Sequence, residues 1–333
     1  MSLPTPPAEW APHRAVWIGF PSHPELWVED LEPARREVVA FARAVHADGR
    51  GEQVILVAAD AEAGAAAEAM APFAQVVVEP FGDIWLRDTA PILLDNGEAA
   101  DFDFNGWGGK YDLPGDDTIG LRLGQSIGAK VGYCNWVLEG GAIDGDGTGT
   151  VVTTEQCLLN ANRNPTMTKA DIEARLRDDL GFTKVVWLGD GLLGDHTDGH
   201  VDNLARFVGE NRVALPRAAE NDPNWQVYQH AERDLRHAGI DVVLIPSPGR
   251  ILRDEEVVPA SYMNFYIGNA AVVVPLYGSD NDQAAVRAIQ AIFPNREVVG
   301  LRADHILTGG GSFHCISQQI PLAGSHDVAA NAG

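Results

Sequence analysis

The feature that most narrows the fold is a strand, helix, strand unit that returns along the chain about every 60 residues. Residues 15–20 read as a strand, and Pro33 opens a helix with Val38, Phe41, Ala42 and Val45 on one face. Gly49 stops that helix, and residues 54–57 are the next strand. The second unit runs through strands at 91–94 and 101–104, a helix at 119–127 and a strand at 133–138. The third has a strand within 150–159, a helix over 168–180 and a strand at 184–188; Thr168 and Asp171 form a capping box and Gly181 a stop signal. The fourth unit is 212–215, 225–238 and 241–245; the fifth is 271–276, 283–293 and 298–301, with Pro294 ending its helix. Five such units predict an α/β fold that is closed or radially repeated. One open, doubly wound sheet is the alternative, and the lack of a Gly-rich dinucleotide loop counts against it.

Charge narrows the partners. The chain carries 47 Asp and Glu against 24 Lys and Arg, a formal net charge of −23 in 333 residues. Such a field repels nucleic acid and anionic membrane surfaces and favours a small cation. There is no membrane-length apolar run, and the first ten residues have no basic and apolar leader pattern, which reads as a cytoplasmic protein. Three cysteines without paired spacing, Cys134, Cys157 and Cys315, argue against both a disulfide framework and Cys-ligated zinc. Residues 1–333 read as one domain, with a peripheral or disordered tail from about residue 322.

The chemistry-bearing residues follow strands at corresponding places in the units. Asp88 lies beyond the strand at 76–78 and Glu139 beyond 136–138; His200 and Asp202 lie beyond 185–188, and Cys315 beyond 298–301. Convergence at one end of a pseudo-symmetric axis would make these a single site. Each group also has a plainer reading. Asp88 beside Arg87 suits a local ion pair, Glu139 before two glycines suits a solvated turn, and Cys315 after Gly309, Gly310 and Gly311 suits a small buried side chain. His200, Val201 and Asp202 alternate, so on a strand the two polar side chains face one way. His196, His200 and Asp202 also offer zinc-type donors, but the evident nucleophile is a thiol and the two histidines lie in no clear helix.

Carboxylates around a nucleophilic cysteine disfavour its thiolate unless the substrate brings positive charge. A guanidinium does, and its planar fork of N–H donors pairs bidentately with carboxylates. Cys315 then attacks the guanidinium carbon, while His200 protonates the departing nitrogen and later activates water. A binding protein that merely holds a guanidine or polyamine in the same acidic pocket is the competing class, with no use for the thiol.

The motifs that carry these residues are similar to those of the agmatine deiminase family, grouped with bacterial peptidylarginine deiminases in the guanidino-group-modifying superfamily. They are Trp85-x-Arg87-Asp88-Thr89-x-Pro91, Phe104-Asn105-x-Trp107-Gly108-Gly109, Glu139-Gly140-Gly141 and the run from Thr197 to Asn203. Ala260-Ser261-Tyr262-x-Asn264-Phe265-Tyr266-Ile267 and Gly309-Gly310-Gly311-x-x-His314-Cys315-Ile316-x-Gln318-Gln319 complete the set. The resemblance implies a five-bladed α/β propeller of ββαβ modules with pseudo-fivefold symmetry. It implies Cys315 as nucleophile through a covalent amidino-thioether and His200 as general acid and base. Asp88 and Asp202 would bind the guanidinium, Glu139 would assist, and Trp85 and Trp107 would line the substrate site. The implied activity is hydrolysis of agmatine to N-carbamoylputrescine and ammonia, in putrescine biosynthesis, without metal or other cofactor. A peptidylarginine or another arginine derivative is the alternative substrate. A homo-oligomer, dimer or tetramer, is compatible with the resemblance.

Overall fold

In the computed structural model of the protein, residues 3–218, 221–253 and 255–322 are described. The tail expected beyond Leu322 lies outside them. Among the described residues the chain forms an α/β fold of five main sheets that share one plan, the first with an additional strand. In the first sheet, β1 (His13–Gly19) is parallel to β2 (Gln53–Ala58), with the helix Leu31–His46 between them. A further helix, Ala61–Met70, leads to β3 (Gln75–Val78), parallel to β2.

The other four sheets each have a short outer strand antiparallel to a middle strand, then a helix, then a parallel strand. The second is β4 (Ile92–Leu93), β5 (Ala99–Asp103), helix Ile119–Ser126 and β6 (Val131–Val137). The third is β7 (Ile143–Gly145), β8 (Thr150–Thr154), helix Lys169–Leu180 and β9 (Lys184–Leu188). The fourth is β10 (Arg206–Gly209), β11 (Arg212–Arg217), helix Trp225–His237 and β12 (Asp241–Pro246). A small hairpin of β13 (Leu252–Arg253) and β14 (Glu256–Val257) precedes the fifth sheet. That sheet is β15 (Tyr266–Ile267), β16 (Ala271–Leu276), helix Asp282–Ile292 and β17 (Glu297–Arg302). Finally β18 (Ser317–Pro321) runs antiparallel to β1, with His13 opposite Pro321. The last strand of the chain therefore supplies the outer strand that the first sheet lacks.

Local chemistry explains the helix ends. Thr168 accepts the Asp171 amide while the Asp171 carboxylate accepts the Thr168 amide, and Gly181 closes the helix at φ 70° in the left-handed region. The first long helix begins at Leu31, two residues before the expected Pro33, because a proline in the first turn removes only an N–H that has no helical partner. Its expected face, Val38, Phe41, Ala42 and Val45, is fully buried. Phe41 stacks on Phe313 at a 4.8 Å centroid distance, which anchors the loop that carries Cys315. Among the described residues, no helix is long and apolar enough to cross a membrane.

Candidate active site

Each link between consecutive sheets delivers polar residues to one place. The link from β3 to β4 brings Trp85 and Asp88, β6 to β7 brings Glu139 and Gly141, and β9 to β10 brings His200 and Asp202. The link from β12 to β15 brings Asn264, and β17 to β18 brings His314 and Cys315. The structure thus brings together all five expected polar residues, and all five are buried.

Cys315 sits at the centre of the cluster. Its Sγ lies 3.4 Å from Asp202 Oδ2 and 3.0 Å from Asn264 Nδ2. Burial, reinforced by the charges of Asp202 and Asp88, pushes its thiol well above the ordinary cysteine value and favours the protonated form. Gly309 and Gly311 let this loop lie flat against the Trp85 indole. A Cβ at either position would come within 2.5 or 2.6 Å of ring carbons of Trp85.

The two aspartates differ. Asp88 accepts the Trp107 indole N–H through Oδ2 and the Gly141 amide through Oδ1, both at 2.9 Å, and the same Oδ1 is 3.7 Å from His200 Nδ1. Burial raises its pKa; His200 opposes this, and the nearby Asp202 and Glu139 add to it. Asp202 Oδ2 accepts from His314 Nδ1 at 2.8 Å, while its Oδ1 is buried with no partner. Burial acts to raise Asp202 as well, but the hydrogen bond and charge of His314 outweigh it and hold the carboxyl below its usual range. His314 in turn places Nε2 2.9 Å from Glu9, which pairs with the buried Arg206.

His200 is fully buried, with Nδ1 3.7 Å from Asp88 Oδ1 and the thiol of Cys157 as a neighbour within hydrogen-bonding influence. Burial disfavours its charge, yet Asp88, Cys157 and Glu139 prevail and hold its pKa well above the ordinary histidine value. Glu139 is not a solvated turn residue. Its Oε1 accepts from Arg163 Nε at 2.6 Å, and both side chains are fully buried. Arg163 also donates to Asp198 Oδ2 and the Thr197 carbonyl, which locks the loop before His200.

A cavity of about 230 Å³ leads to Cys315 between Trp85, Trp107 and Tyr111. No Lys or Arg lines it, whereas Asp83 and Asp88 do. Trp107 is held at φ 53°, an uncommon conformation for a bulky residue, by a run of glycines and by the Asn105 side chain, which accepts the Gly108 amide.

Some expectations need correction. Residues 201–203 form a single 3₁₀ turn, not a strand. Asp195 and Thr197 capture the amides of Thr197 and His200, and this winds the segment into tight turns. The Arg87–Asp88 ion pair is not found among the described residues; Arg87 donates to the His314 carbonyl instead. His196 stands apart from His200 and Asp202, with Nδ1 facing the Tyr111 hydroxyl, so the zinc set considered from sequence is not assembled. Sequence reasoning did not assign Asn264, His314, Arg163, Glu9 or Cys157 to the site. The repeat held a signal for Asn264, because its link was the one of five left without a polar contribution.

A sequence model of the Porphyromonas-type peptidyl-arginine deiminase family matches residues 5–321. The chain belongs to that family. An agmatine deiminase of Stutzerimonas stutzeri is 38% identical over 357 aligned residues, which cover 95% of each chain. The structure of the Enterococcus faecalis agmatine deiminase matches with a TM-score of 0.89 at 31% identity, over 96% of both chains. That of a C. jejuni agmatine deiminase with substrate bound matches at 0.88 and 29% identity, over 96% of this chain and 97% of that one. The family resemblance read from the motifs is therefore borne out.

Proposed function

We propose that the protein is an agmatine deiminase that converts agmatine and water into N-carbamoylputrescine and ammonia through a thioether on Cys315. One observation carries this reading. A buried thiol faces two carboxylates and an imidazole at the end of an aromatic-walled cavity that, among the described residues, no Lys or Arg lines. Such a site suits a flat cation with an apolar tail and gives the α-carboxylate of arginine no lysine or arginine counter-ion.

The chemistry follows from the charges. Asp202 Oδ1 and the carboxylate of Asp88 accept guanidinium N–H groups, and the arriving positive charge offsets the fields that keep Cys315 protonated. As the cation binds, the thiol proton passes to solvent water, and the thiolate sulfur adds to the guanidinium carbon. His200, whose charge Asp88, Cys157 and Glu139 favour, gives its proton to a terminal nitrogen as the C–N bond breaks, and ammonia departs. The neutral imidazole then takes a proton from water, whose oxygen adds to the amidino carbon. The C–S bond breaks, leaving the ureido product, and the thiol is restored. Glu139, held by Arg163, stabilises the charged imidazole. Trp85 and Trp107 pack on the alkyl chain. We read the five sheets as the blades of an α/β propeller, which would explain why five links meet at one point.

The test is ammonia release from agmatine, free arginine and an arginine-containing peptide, together with Cys315→Ala. Agmatine should be preferred, and Cys315→Ala should fold but not turn over. Quenched wild-type protein should carry an amidino adduct on the Cys315 peptide. A preference for peptidyl arginine, or turnover by Cys315→Ala, overturns the reading.

A further inference from the structure

Beside His200 lies a second thiol, one to which the mechanism gives no step. Cys157 Sγ, one oxygen of Glu139 and one ring nitrogen of His200 lie within 4.8 Å of one another, and all three residues are fully buried. They come from three separate elements, each fixed by its own contacts. Cys157 lies in the turn Glu155–Leu158, whose Thr154 hydroxyl accepts the Cys157 amide and donates to the Gly199 carbonyl beside His200. Glu139 is held through Oε1 by Arg163, which leaves Oε2 buried and without a partner. The buried ring of His200, with Nδ1 3.7 Å from Asp88 Oδ1 and the Cys157 side chain beside it, completes the donor set.

Thiolate, imidazole and a single carboxylate form a borderline-soft set of the kind that selects Zn²⁺ and its heavier analogue Cd²⁺ over Mg²⁺ or Ca²⁺. Donors sharing one Zn²⁺ at bond lengths of about 2.0–2.3 Å lie roughly 3.5 Å apart, so these three need to close by about 1 Å. A fourth position stays open for water. Binding releases the Cys157 proton and fixes His200 as a neutral ligand. We propose that Glu139, Cys157 and His200 form an inhibitory site for a soft divalent transition ion, whose occupancy takes His200 out of proton transfer. The inhibition rests on the role given to His200 above; the binding of the ion does not.

Cd²⁺ titration of metal-free protein tests the binding, read by the ultraviolet thiolate-to-metal charge-transfer band. In Cys315→Ser, which lacks the nucleophilic thiol beside Asp202, the band should saturate at one ion per chain. Adding Cys157→Ala should abolish it, and adding His200→Ala should weaken the affinity at least about tenfold. In the active chain, Zn²⁺ should inhibit turnover reversibly with chelator. Cys157→Ala should need at least about ten times more Zn²⁺ to halve the turnover that it retains. Circular dichroism checks folding, and Cys157→Ser serves if Cys157→Ala fails to fold. A band that survives Cys157→Ala but vanishes in Cys315→Ser puts the ion on the nucleophile and overturns the proposal, as does the absence of any band. A band without deiminase activity in the wild type overturns the functional reading and leaves the ion site standing.

Discussion

Asn264 places its Nδ2 3.0 Å from the sulfur of Cys315 and accepts the Cys315 amide through Oδ1, so one side chain both orients the thiol and fixes its backbone. Its amide also donates to Asn203 Oδ1, which ties the nucleophile to the loop that carries Asp202. An N–H aimed at sulfur stabilises the thiolate once it forms, as a pre-aimed donor does for any developing anion. Asn264→Ala should lower kcat by about a hundredfold, the usual loss for one such donor. The near-isosteric Asn264→Asp should lose more, because it sets a carboxylate against the same sulfur. Steady-state kinetics of the pair decide it: equal losses would mean that Asn264 acts only by packing.

Helices and middle strands were legible in the sequence because their apolar periodicity is local. Of the outer strands, β4 was read at 91–94, but β7, β10 and β15 were not: they are only two to four residues long, too short for an alternating pattern to emerge. The pairing of β18 with β1 joins residues about 300 apart, which no local pattern encodes. The site was readable where a residue stood in a reactive motif, as Cys315, His200, Asp88 and Asp202 did. Arg163 and Glu9 were not, since a charge that will be buried looks the same in sequence as one left in solvent.

Gly141 makes room for the reacting groups. A Cβ there would lie 2.6 Å from His200 Nδ1, 2.8 Å from Asp88 Oδ1 and 3.2 Å from Asp202 Oδ2. Its backbone is not in the left-handed region, so alanine is not strained by conformation. Gly141→Ala should therefore fold normally while displacing His200 and Asp88. Since a misplacement of about 1 Å can lower the rate about a hundredfold, kcat/KM should fall by at least that much. Thermal unfolding should change little; wild-type kinetics would show that the three groups do not work around this point.

The Cys315 thiol has its pKa raised by burial and by Asp202 and Asp88. Alkylation by iodoacetamide should therefore be slow at neutral pH and accelerate on the alkaline side of the ordinary cysteine range. A guanidinium ligand too small to block the sulfur should move that rise to lower pH, since added positive charge favours the thiolate. His200, raised above its ordinary value, should stay protonated through neutrality, so the alkaline limb of turnover belongs to its deprotonation. Rapid, pH-independent alkylation near neutrality would contradict the charge balance.

The carboxylates should separate by kinetic parameter. Asp202 offers an unpartnered Oδ1, and Asp88 lines the cavity; both meet the substrate directly in the proposed mechanism. Removing one member of a buried ion pair costs about 3–5 kcal/mol, so Asp88→Asn and Asp202→Asn should each lower kcat/KM by at least about a hundredfold, with a rise in KM. Glu139 has given one oxygen to Arg163, and a carboxylate oxygen of it lies within 4.8 Å of donor atoms of His200 and Cys157. Its charge therefore reaches the substrate mainly through the imidazole. Glu139→Gln should lower kcat with little change in KM, and its pH profile should show the His200 limb moved to lower pH, because a negative charge that raised that pKa is gone. A rise in KM for Glu139→Gln as large as that for Asp202→Asn would instead put Glu139 in direct contact with the guanidinium.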